Sequence, residues 1–249
     1  MIEERFEDRF EEDLAVDDGR PLAVVTGASS GVGFELSKEL AERGYDLIMA
    51  AANAEKLRDA ARVITDGSSG IHVEIVSADL SRAHGVTKLY QAIQRDGRSV
   101  DVLAANAGDG MAGECTNESA LEDEIALINL NITSHVQLIK LVSHDMESHG
   151  GGDIVITSAM SETMPGTRTA VYAASKAFLR SFGHAIRREL SERGVNVTLL
   201  MSDAPDAKIF EGLDIHHAKA EVAEDDPAKF AEAALQALRE HDRREGRRD

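Results

Sequence analysis

LAVVTGASSGVG, Leu22 to Gly33, reads as a strand that turns directly into a helix. Leu22–Thr26 is a short apolar run with the β-branched content of a buried strand. Gly27, Gly31 and Gly33 follow closely. Gly27 permits a tight turn, Gly31 lets the backbone approach a ligand, and Gly33 lets the new helix pack close to the strand. A helix that starts here aims its free N–H groups, and the positive end of its dipole, at whatever lies before the turn. With Ser29, Ser30 and Val32 between the glycines, the segment has the chemistry to cradle a pyrophosphate, and a dinucleotide is the expected ligand.

The chain continues the rhythm this unit begins. Strand-length runs recur at 46–50 (DLIMA), 72–76 (HVEIV), 101–105 (DVLAA), 153–157 (DIVIT) and 195–201 (VNVTLLM). Helix-period stretches fill 31–43, 54–65, 83–96, 119–148, 170–193 and 226–240, and Gly44 and Gly194 stand where helices end. Strands alternating with helices of this length form right-handed crossovers and a parallel sheet covered on both faces. The expected fold is α/β, a doubly wound parallel sheet of about six strands in one domain spanning 21–240. Residues 1–20 form an acidic extension, 203–225 a polar segment expected to act as a lid over the sheet edge, and 241–249 a charged tail.

Composition narrows the partners. A net charge of −18 over 249 residues opposes nucleic acid and anionic membrane surfaces. No run of eighteen apolar residues occurs, so no membrane span is expected. The acidic N-terminus lacks the basic start and apolar core of a signal peptide. The lone Cys115 excludes an internal disulfide, and a cytoplasmic location is expected. His216 and His217 are adjacent but have no acidic or thiol ligand at metal spacing, so no metal is expected.

Four motifs in order carry a family resemblance: Thr-Gly-x-x-x-Gly-x-Gly at Thr26–Gly33, Asn106-Ala107-Gly108, Asn131, and Tyr172-x-x-x-Lys176. Together they resemble the short-chain dehydrogenase/reductase superfamily over nearly the whole chain. The resemblance implies a Rossmann fold, NAD or NADP as cofactor, and hydride transfer between a small-molecule carbonyl and its alcohol. It assigns Tyr172 as general acid/base, Lys176 to the nicotinamide ribose, Asn131 to a water-linked proton relay, and Asn106-Ala107-Gly108 to the adenosine ribose side. It places Asp79-Leu80 near the adenine; a helix N-cap is the other reading of Asp79. A free phenol titrates near pH ~10. An ammonium one turn along and an oxidised nicotinamide both favour phenolate and lower that value. The helices at 119–148 and 170–193 are, by the same resemblance, the face of a homodimer.

Two positions depart from the family pattern. The serine that touches the substrate oxygen is expected thirteen residues before the tyrosine, where this chain has Ala159, with Ser158 one place earlier. Ser158, Ser161 or no serine at all remain alternatives, since a bulge would change which face a side chain occupies. After the sixth strand, Ser202-Asp203 stand where Pro-Gly is usual, with Pro205 displaced. The reading is therefore an oxidoreductase, with a weakly active or non-catalytic nucleotide-binding protein as the alternative. At the end of the second strand Ala51 and Ala52 supply neither the acid that selects NAD nor the Arg that selects NADP, with Arg58 and Asn53 nearby, so the cofactor stays open between the two.

Overall fold

The computed structural model describes residues 19–109, 120–159 and 170–202, together with Ala228, Ala231 and Glu232. The strands β1 (Leu22–Thr26), β2 (Asp46–Ala51), β3 (Val73–Ser77), β4 (Val100–Ala105), β5 (Gly152–Ala159) and β6 (Val195–Ser202) form one sheet in the order β3-β2-β1-β4-β5-β6. Every neighbouring pair is parallel. The helices are α1 (Gly31–Glu42), α2 (Ala54–Gly67), α3 (Ala83–Asp96), α4 (Leu121–Ile128), α5 (Ser134–Ser148) and α6 (Ala170–Ser191). The expected helix over 119–148 is interrupted: a π-helical turn, Asn129–Thr133, joins α4 to α5. The acidic extension, apart from Gly19 and Arg20, the 203–225 segment and the tail lie outside the described residues, as do Cys115, Ser161, Asp203, Pro205, His216 and His217.

The strands are apolar along their length because both faces are covered. Leu22, Val24, Ile48, Leu103, Ile154 and Ile156 pack under α3, α5 and α6. Ala23, Val25, Leu47, Met49, Val102 and Val155 face α1 and α2. Gly44 and Gly194 follow helix ends with left-handed backbone, as expected. By length and composition the helical stretch Leu121–Ser148 is apolar enough to cross a membrane, although no unbroken apolar run marks it. Its content has a local explanation, since Leu138, Ile139, Val142 and Met146 are buried in the sheet core.

Chain direction across the sheet reverses at β1: β2 and β3 step outward on one side, and β4, β5 and β6 on the other. Ligands of such sheets bind beyond the strand C-termini at that reversal, here the ends of β1 and β4. The opposite edge carries a buried ion network. Arg98 donates to Asp96 (2.8 and 3.0 Å) and Asp46 (2.6 Å), and Asp46 also accepts the His72 N–H at 2.7 Å. Burial alone would raise the Asp96 carboxyl, but the hydrogen bonds and charge of Arg98 outweigh it and hold it below the ordinary range.

Candidate active site

Thr26, the last residue of β1, fastens the crevice. Its hydroxyl donates to Ala104 O (3.3 Å) and accepts the Asn106 and Ala107 N–H groups (3.0 and 2.9 Å). The Asn106 side-chain amide donates to Thr26 O at 3.3 Å. The turn after β1 and the loop after β4 are thus held as one piece. Gly33 has no room for more than hydrogen: a Cβ there would lie 2.3 Å from Gly27 O and 2.6 Å from Asn106 Nδ2. Gly27 is nearly as tight, since its Cβ would meet Ala107 Cα at 3.0 Å. Among the described residues a Cβ at Gly31 would meet nothing within 4 Å, which leaves open space before the start of α1. Ser30 caps α1 without a side-chain bond, and the first turn has no acid, so the helix end keeps its donors for an anion. Ser29 is half-buried beside it, and Val32 packs on the α1-side core. These features fit the pyrophosphate of a dinucleotide.

Across the crevice, the π-turn buries Asn131. Its Oδ1 accepts the Asp109 N–H (3.1 Å), and its Nδ2 donates to Asp109 O and to Ser175 Oγ, both at 3.0 Å. Ser175 in turn donates to Tyr172 O at 2.7 Å. Asn131 therefore ties the loop after β4 to the first turns of α6. Tyr172 and Lys176 are both buried, 5 % and 7 % exposed. Lys176 Nζ lies 5.6 Å from the centre of the Tyr172 ring. Gly108 faces the same ammonium: a Cβ on it would sit 3.1 Å from Lys176 Nζ.

Ser158 is buried at 1 %, and its hydroxyl donates to the backbone carbonyl of Lys176 at 2.9 Å. It braces α6 from beneath. Ala159 ends β5 opposite Ser202. Asp79 makes the local bonds of a turn, accepting Ser81 N–H (3.0 Å), Ser81 O–H (2.6 Å) and Arg82 Nε (3.2 Å). The Ser81 hydroxyl, more than the exposed Arg82, holds its carboxyl low. Leu80 is a core residue under α3. At the end of β2, Ala51 is buried, Ala52 is exposed, and Asn53 caps α2 by accepting the Lys56 N–H at 2.9 Å.

Sequence reading did not single out Ser175 or His135. Ser175 is visible beside Lys176 once the helix phase is known. His135 has no local signal, because its partners are Ala105, thirty residues away (3.2 Å), and the Leu130 carbonyl (3.3 Å).

Residues 21–213 match the short chain dehydrogenase family, and the chain belongs to it. An uncharacterised oxidoreductase of Staphylococcus saprophyticus is 29 % identical over 219 residues, 88 % of this chain and 91 % of the relative. Among solved structures, a short-chain dehydrogenase from Sphingobium yanoikuyae in complex with NADPH superposes with a TM-score of 0.76 at 28 % identity, covering 88 % of this chain and 85 % of that one. A metagenomic short-chain oxidoreductase in complex with NADP gives 0.73 at 26 % identity, covering 87 % and 90 %.

Proposed function

We propose that this protein is an NAD(P)-dependent oxidoreductase that interconverts a small-molecule carbonyl and its alcohol, with Tyr172 as general acid/base. The observation that carries this reading is the buried Tyr172–Lys176 pair, one helical turn apart and braced by Asn131 through Ser175. A bound nicotinamide supplies or accepts the hydride. The Tyr172 hydroxyl gives its proton to the carbonyl oxygen, and in the reverse direction takes it from the alcohol. The Lys176 ammonium favours the resulting phenolate and sits where it can hold ribose hydroxyls beside Gly108. Asn131 positions Asp109 and α6, and the Thr26–Asn106 bonds keep the two loops in register. Ser158 acts through the Lys176 carbonyl as a positioning residue.

NADP(H) is the preferred nucleotide in this reading. Neither Ala51 nor Ala52 offers a carboxylate to the ribose 2′-hydroxyl, and Lys56 and Arg58 on α2 make no ion pair among the described residues. Fluorescence titration with NADH and NADPH, followed by a panel of ketones and aldehydes, tests both statements. Tyr172→Phe should abolish turnover, by more than about a hundredfold, and leave nucleotide affinity within about threefold. Turnover that survives this substitution overturns the acid/base assignment.

One observation favours a second reading, a nucleotide-binding protein with little catalysis. The Ser158 hydroxyl is donated to backbone, and Ala159 supplies none. A missing donor to the developing oxyanion costs roughly 2.7–4 kcal/mol, or ~10²–10³ in rate. Ala159→Ser separates the two readings: a gain in rate supports the enzyme, whereas tight binding without turnover in both forms supports the second.

A homodimer through α4, α5 and α6 fits the outward apolar residues Leu121, Ile125, Ile128 and Phe178, with Phe178 stacked on Phe182 at 5.7 Å. Sedimentation checks the dimer. A cytoplasmic location, where the nucleotide is plentiful, completes the proposal, with neither nucleic acid nor membrane as partner.

A further inference from the structure

His135 lies on the first turn of α5, 2 % exposed, between the two elements that shape the proposed site. Its Nε2 is 3.2 Å from the carbonyl of Ala105, the last residue of β4 and the one preceding Asn106-Ala107-Gly108. Its Nδ1 is 3.3 Å from the carbonyl of Leu130, the residue preceding Asn131. Both neighbours are acceptors, and a neutral imidazole has one N–H. The Leu130 carbonyl already receives the Ser134 hydroxyl, which also lies 3.4 Å from Nδ1. Of the two carbonyl contacts the Nε2 one is the shorter, and a proton there is donated to Ala105.

We propose that His135, as the neutral Nε2–H tautomer, is a positioning residue that fixes the Asn106–Gly108 loop against the π-turn bearing Asn131. This rests on the oxidoreductase reading above. Gly108 faces Lys176 Nζ, and Asn131 holds both Asp109 and Ser175, so a shift between the end of β4 and the π-turn displaces the ammonium from the Tyr172 ring. The groups facing the imidazole are the two carbonyls, the Ser134 hydroxyl and, from α6, the Lys176 ammonium. Among the described residues no carboxylate contributes to its electrostatics. Burial, reinforced by Lys176, pushes the imidazole down to about 4, so it stays neutral while the enzyme works.

Two measurements test the assignment. In the first, isotope-labelled histidine is followed by NMR in the nucleotide-free protein, with His135→Gln identifying the resonance. An Nε2–H tautomer that does not titrate between about pH 5 and about pH 9 is expected. An Nδ1–H tautomer, or titration near the ordinary value, overturns the proposal. In the second, His135→Phe keeps a ring but removes the donor, while His135→Gln keeps one N–H able to reach Ala105. With folding checked by circular dichroism, the Phe variant should lose roughly ten- to a hundredfold in kcat, the scale of a misplaced reacting group. KM should change little, and Gln should restore kcat to within about fivefold. Equal losses in both variants, or unchanged kcat in the Phe variant, overturn it. If the Phe variant does not fold, the Gln variant decides: its kcat must stay within that fivefold margin. Wild-type protein that binds nucleotide without turnover sinks the oxidoreductase reading instead, and the NMR result still decides whether His135 ties β4 to the π-turn.

Discussion

Replacing Arg98 with Met should destabilise the fold while leaving the nucleotide site alone. The guanidinium bridges Asp46 and Asp96, whose side chains are 2 % and 3 % exposed, while its own is 9 % exposed. Removing the cation leaves two carboxylates buried at the N-terminal edge of the sheet without their counter-ion. Breaking a buried pair in this way costs ~3–5 kcal/mol. At roughly 2–4 °C per kcal/mol for a chain of this size, the melting temperature should fall by on the order of 10 °C. The acid dependence provides an internal check. The Asp96 carboxyl is held low in the folded protein, so its contribution is present above the unfolded value of about 3.9 and is lost as pH falls through the folded value. The variant has lost that stabilisation already, so the gap to wild type should narrow between about pH 7 and about pH 3. Urea unfolding followed by circular dichroism at both pH values measures it, and Asp96→Leu added to Arg98→Met should recover part of the loss. A gap below about 1 kcal/mol at neutral pH, or one that does not change with acid, would refute the reasoning.

Gly33→Ala drives a Cβ into Gly27 O and Asn106 Nδ2, so helix α1 must back away from β1. A stability loss of about 1–3 kcal/mol is expected with at least tenfold weaker nucleotide binding by titration; unchanged affinity would separate the turn from the ligand. His135 makes a second, independent acid signature. Its folded value of about 4 lies below the ordinary 6.5, so on acidification the unfolded chain takes up the proton first. Its contribution is complete above about pH 6.5 and falls by up to about 3 kcal/mol as pH drops to about 4. His135→Gln should flatten that part of the stability–pH curve, as read by urea unfolding.

Much of the fold is legible because each strand run is bounded by helix periodicity or by Gly, and burial on both faces leaves strands continuously apolar. The run at 22–26 became β1 without adjustment, whereas β5 and β6 extend to Ala159 and Ser202, because sheet pairing continues past the apolar stretch. The break at Asn129–Thr133 was not legible, since its residues keep an apolar pattern and the change lies in the hydrogen-bond ladder. Motif residues with nearby partners were the readable part of the candidate site. Asp79 illustrates the limit: the sequence left it between an adenine contact and a cap, and its carboxylate turns to Ser81 and Arg82. Ser158 shows another, for the sequence gives its position on the strand but not that the Lys176 carbonyl waits above it. His135 was missed because its contact with Ala105 is long-range, which one-dimensional spacing does not encode.

The widened turn at Asn129–Thr133 amounts to one surplus residue absorbed inside a helix. Leu127 before it and Leu138 after it are both buried. Asn131, inside that turn, reaches Asp109 and Ser175 together. The turn thus carries a polar side chain into the interior at a point where the helices on either side carry apolar ones.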